Sequence, residues 1–119
     1  MFNWLKIFLP KTDFDIWFEK TKTIIRTILE KYPFSQQTKT NVFAILKLEQ
    51  DRIKYAFNKN RDSKYEKRSM ASIIVDTTLK NIRWYDSKEQ RIDSQGEKFL
   101  TELYRELALQ EELSFYYEE

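Results

Sequence analysis

One glycine and two prolines in 119 residues constrain this chain more than any motif in it. Sheets need hairpins, and tight hairpins draw on glycine for positive φ. With Gly96 alone available, the composition points to helices. Apolar residues make up 41% of the chain and aromatics 16%. That suffices to close a core at this length without staples, and it is too apolar for a disordered chain despite 34% charged residues. A single domain spanning 1–119 is expected.

Four stretches carry an apolar stripe at helical spacing. In the first, over 12–32, Phe14, Trp17, Phe18, Thr21, Ile25, Ile28 and Tyr32 recur at three and four. Thr12 or Asp13 caps its first turn and Pro33 ends it. The second, over 38–58, carries Val42, Phe43, Ile45, Leu46, Ile53, Ala56 and Phe57. The third, over 63–86, takes Asp62 or Ser63 as its cap and runs through Met70, Ile74, Thr78, Ile82 and Tyr85. SIIVDTT and NIRWY are β-branched and aromatic enough for two strands, but no glycine turn lies between them, so helix is preferred. The fourth, over 94–113, opens on Ser94-Gln95-Gly96-Glu97, read as a capping box, and carries Phe99, Leu100, Leu103, Tyr104 and Leu107. Short polar joints separate the stripes. The expected fold is all-α, a single compact antiparallel bundle of about four helices with a short apolar N-terminal segment.

The chain has no cysteine and no histidine. Disulfides, Cys- or His-ligated zinc and iron, and catalysis by a Ser-His, Cys-His or histidine base are therefore excluded. One glycine cannot build a phosphate-binding loop. Glu49 and Gln50 interrupt the second stripe, and Thr21, Thr77, Thr78 and Asn81 interrupt the first and third. A di-metal carboxylate bundle would also take Glu-x-x-His, which is absent. No catalytic, metal or cofactor-binding residue is expected, and no cofactor.

The opening MFNWLKIFLP does not read as a secretory signal, because Lys6 sits inside its apolar run and the first alanine is Ala44. No stretch reaches the ~18 apolar residues that span a bilayer, and a cytoplasmic location is expected. Two readings of the decapeptide stand. It folds back as a lid, with Trp4 and Leu5 beside Trp17, Phe18 or the C-terminal aromatics. Alternatively, Phe2, Trp4, Leu5 and Phe8 form a foot for a membrane surface or a partner's groove.

Charge is uneven although the total is only +2. Residues 51–68 hold seven basic side chains, Arg52, Lys54, Lys59, Arg61, Lys64, Lys67 and Arg68, against three acids, a local +4. With Tyr55, Phe57 and Tyr65 among them, they form a candidate patch for an anionic ligand such as nucleic acid. Residues 97–119 hold two basic side chains against seven glutamates, a local −5. There Phe115, Tyr116 and Tyr117 sit among Glu111, Glu112, Glu118 and Glu119, a candidate acidic-aromatic surface for a protein partner with a basic face. The chain reads as a non-enzymatic accessory protein of the inhibitor, immunity or adaptor type, acting by stoichiometric binding to a protein. A membrane-surface factor using residues 1–10 and a nucleic-acid binder using 52–68 are the alternatives.

Overall fold

Thr12 starts the first helix as the sequence suggests. In the computed structural model, which describes the backbone of residues 11–62 and 69–117 and the side chains of that set except at 62 and 112–117, its hydroxyl accepts from the Asp15 amide. The Asp15 carboxylate accepts in return from the Thr12 amide. This reciprocal pairing satisfies two amides that the helix start leaves open. Helix α1 runs over Asp13–Leu29 and buries Phe14, Phe18, Thr21, Ile25, Ile28 and Leu29 along one face. The apolar members are each worth about 1.5–3 kcal/mol in area removed from water. Thr21 is accommodated there because its hydroxyl donates to the Trp17 carbonyl at 2.9 Å. The helix ends before Pro33 acts on it. Glu30 stays in the helical region, and Lys31 and Tyr32 then close tighter turns onto Ile28 and Leu29.

The second expected helix is two. Helix α2 spans Gln36–Leu48 and helix α3 spans Gln50–Asp62, with Glu49 between them at φ −93°, ψ 5°. Glu49 closes the end of α2 by donating its N–H to Ile45 O, and its carbonyl accepts from Ile53 N–H at the start of α3, both at 2.9 Å. The regular helix is interrupted at this residue, and the two helices are separate elements. The two parts face different partners. Val42 and Leu46 of α2 pack toward the third segment, whereas α3 packs against α1.

The third expected helix, 63–86, is replaced by a shorter and wider element. Residues 63–68 lie outside the described set. Ser69 caps α4, Met70–Ser72, which continues directly into a π-helix, Ile73–Leu79. The hydroxyls of Thr77 and Thr78 both donate to the Ile73 carbonyl. Threonine hydroxyls that compete for a helix carbonyl loosen the α register, and the buried side chains follow the wider spacing: Ile73 with Thr78, Ile74 with Leu79.

Residues 80–92 are not helical. The chain reverses through a short turn in which the Asp86 carboxylate accepts from the amides of Lys88 and Gln90, both at 2.8 Å. Tyr85 bridges Arg91, Phe34 bridges Asp86, and Glu89 takes φ 61°. An aspartate side chain and a left-handed glutamate thus make the reversal that glycine would ordinarily make. No strand forms among the described residues.

The last helix, α5, covers Asp93–Tyr117. It starts one residue before the expected cap. Gln95 and Gly96 donate to the Ile92 carbonyl, and the Ser94–Glu97 capping box does not form. Helix α5 is the central strut, contacting α1 and α4 most heavily. It is antiparallel to α1. Glu102 meets Lys31 and Tyr32 just past the end of α1, while Leu107 and Glu111 share a cleft with Trp17 and Thr21 nearer its start. The result is an all-α bundle. Its core joins an aromatic cluster of Phe14, Trp17, Phe18 and Phe57 to a second of Tyr32, Phe34, Trp84 and Phe99. Ile25, Leu46, Ile53, Ile74, Leu79 and Leu103 are buried in the same core.

Candidate interaction surface

The basic patch is divided by the way α3 packs. Ile53 and Asn60 turn inward, and Phe57 closes on Phe14 at 5.6 Å and on Trp17 at 5.1 Å. Arg61 pairs with Asp13 and lies over Phe57, and Lys54 lies 6.0 Å from the centre of the Phe14 ring. These two cations hold α3 on α1. Arg52 and Lys59 point outward on either side of Tyr55, which is 69% exposed. Arg52 makes a loose 3.6 Å pair with Glu49. Asp51 and Asn58 are also exposed on α3, so the outward line is mixed rather than purely cationic. Lys64, Lys67 and Arg68 lie outside the described residues.

At the acidic end, Phe115, Tyr116 and Tyr117 continue the backbone of α5, but their side chains and that of Glu112 lie outside the described set, as do Glu118 and Glu119. Glu111 is placed, and it faces inward. Its carboxylate accepts from the Met70 amide at 2.8 Å, with the Ala71 amide and the Ser69 hydroxyl at 3.5 and 3.4 Å. It therefore caps α4, where a negative charge is favoured by the open amides of a helix start. Phe2, Trp4, Leu5 and Phe8 lie outside the described residues, and the lid and foot readings lie there with them.

A feature absent from the sequence reading lies on the opposite side of α2. Leu48 is 80% exposed, the most exposed large apolar side chain described. It sits at the edge of an open groove of about 490 Å³ between α2 and the turn, floored by Ala44, Ile45 and Ile82 and flanked by Asn41, Arg83 and Tyr85. The VFAILKL run hides Leu48 beside the buried Leu46, and only the placement of the 81–89 turn reveals the groove.

Lys31, Tyr32 and Glu102 form a hydrogen-bonded group between the end of α1 and α5. Glu102 accepts from Lys31 at 2.7 Å and from the Tyr32 hydroxyl at 3.0 Å. The Lys31 hydrogen bond leads the effects that hold Glu102 below the usual carboxylate range, against a partial desolvation. Burial first, then the bond to Glu102, holds the Tyr32 phenol above its ordinary value. Among the described residues no three carboxylates gather as metal ligands, and no helix is long and apolar enough to cross a membrane.

Comparison with protein-family models, curated proteins and solved structures finds no match to this chain.

Proposed function

We propose that this protein acts without catalysis, by stoichiometric attachment to a cytoplasmic protein partner, as an inhibitor, immunity or adaptor subunit. The observation that carries the reading is the exposure of Leu48 and Tyr55. Both are large and well exposed, Leu48 on α2 at an open groove and Tyr55 on α3. Aromatic and aliphatic anchors ringed by charge are the usual source of contact energy between proteins. A nucleic-acid surface has no use for an exposed leucine, and here it would lose Arg61, which is engaged with Asp13.

The test is capture from the native cells after brief chemical crosslinking, followed by reconstitution of the complex from purified components and native mass spectrometry. One partner in a fixed ratio is expected. Recovery of lipid or nucleic acid alone, with no protein held in fixed ratio, overturns the reading.

A further inference from the structure

Helix α3 sits at the margin of the bundle, against α1 and α2. It is separated from α2 at Glu49, whose backbone lies at φ −93°, ψ 5°, in the sparsely populated region between helix and strand. The two sides of that joint are anchored very differently. Before it, α2 buries Thr38, Val42 and Leu46. After it, among the described side chains, α3 buries only Ile53 and Asn60. Gln50, Ala56 and Phe57 are half-buried and the rest are exposed.

The contacts that close α3 onto α1 are largely electrostatic. Arg61 pairs with Asp13, and Lys54 lies over the Phe14 ring, so two cations of α3 meet the acidic first turn of α1. Asp15 is the second acid of that turn. Its hydrogen bonds with Thr12 lead the effects that hold its carboxyl below the ordinary value, and the charge of Lys54 adds to them. The Arg61 and Asp13 side chains are 44% and 66% exposed, so salt screens their attraction. Beyond Ile53 the large apolar contact is Phe57, seated on Phe14 and Trp17. Segments with so few buried apolar contacts open locally before the whole fold does.

We propose that α3 is a latch, which swings off α1 about Glu49 as one unit while α1, α2 and α5 keep their packing. The buried Val42 and Leu46 hold α2 in place, so the motion stops at the joint. The open form uncovers Phe14 and Trp17, an aromatic patch that the closed form hides. Ionic strength sets how often the latch opens, because Lys54 and Arg61 close it from solvent-exposed positions.

The test is native-state hydrogen exchange on the full-length chain, read at single amides by NMR. The amides of 54–61 are expected to share one level of protection, at least about tenfold below that of 42–46 in α2 and 25–29 in α1. Raising sodium chloride from about 0.05 to about 0.5 M should lower the protection of 54–61 several-fold and change the other two sets less. The Lys54→Gln, Arg61→Gln double variant alters two exposed side chains, so the chain should still fold and melt close to the parent. In it the 54–61 amides should exchange at low salt as they do at high salt in the parent. A Lys98→Gln control on α5 should behave as the parent does. Amides of 54–61 as protected as those of 42–46 overturn the latch. Acceleration that spreads into 42–46 also overturns it, since the joint at Glu49 then isolates nothing. Protection that declines stepwise toward Arg61 means a fraying helix end instead of a unit, and a salt response that survives in the double variant removes the electrostatic closure on which the proposal stands.

Discussion

The indole of Trp84 lies against the backbone of Gly96, so close that a Cβ built on Gly96 would overlap Trp84 Cδ1, Cγ and Nε1. Trp84 has nowhere to retreat. It is buried, with Phe34 at 4.6 Å and Phe99 at 5.2 Å between ring centres. The only glycine of the chain thus sits inside the first turn of α5 for clearance rather than for a turn.

Gly96→Ala should therefore destabilise, although alanine in an ordinary helix gains about 1 kcal/mol over glycine. Overpacking a closed core costs about 1–3 kcal/mol, and here the propensity gain is outweighed. The melting temperature should fall by several degrees, with near-ultraviolet circular dichroism reporting a displaced Trp84. A rise in melting temperature would show that the indole yields.

Glu111 predicts a second loss. Removing its carboxylate in Glu111→Ala leaves the amides of Met70 and Ala71 uncapped, for which helix caps suggest about 1–2 kcal/mol. Hydrogen exchange should accelerate at those two amides before any other part of the 70–79 helix responds. Uniform acceleration across the chain would instead mean that Glu111 acts only through packing.

The acid limb of stability should carry the signature of Glu102. Its carboxyl sits below its ordinary value in the folded chain, so protonation favours unfolding. Its contribution is complete above the unfolded value of about 4.3 and is lost as pH falls through the lowered folded value. Glu102→Gln should lower the urea midpoint at neutral pH, and the gap to the parent chain should narrow as the pH falls below the ordinary carboxylate range. A gap independent of pH would assign the effect to the Tyr32 hydrogen bond alone.

Glu89 holds a left-handed backbone that L residues adopt at a cost of roughly 1 kcal/mol or more. Glu89→Gly should raise stability by about 0.5–1 kcal/mol, less the added freedom of the unfolded chain, and Glu89→Val should lower it. Paired thermal melts decide this, and a less stable glycine variant would mean that the exposed carboxylate contributes more than the backbone strain.

Helix α1 was legible in the sequence because the cues agreed there. A cap, acids in the first turn and an apolar repeat at three and four all marked the same residues, and Phe14, Phe18, Thr21, Ile25 and Ile28 are the face it buries. The 80–92 stretch was not legible, for a physical reason. Its reversal relies on the Asp86 side chain and on Glu89, neither of which announces a turn as glycine does. Trp84 is buried by long-range packing rather than by any local period, and Ile82, expected in the core on a helical stripe, is buried there from a non-helical backbone. The bend at Glu49 showed only as a polar interruption. The exposed face of Leu48 depended on where the later turn came to rest. For Glu111, acidity and neighbouring aromatics suggested an outward site, whereas the open amides of Met70 and Ala71 draw the carboxylate inward.

The π-helix at Ile73–Leu79 has a bearing on how this chain can vary over time. Closing each turn five residues on rather than four lodges one more residue between fixed flanks than an α-helix would hold. A chain one residue shorter within 73–79 could relax to the α register and still present Met70 and Ile82 to the same neighbours. Insertions and deletions are ordinarily confined to loops. Here a helix offers a length reserve of one residue, and relatives of this protein should be sought with a gap allowed at that position.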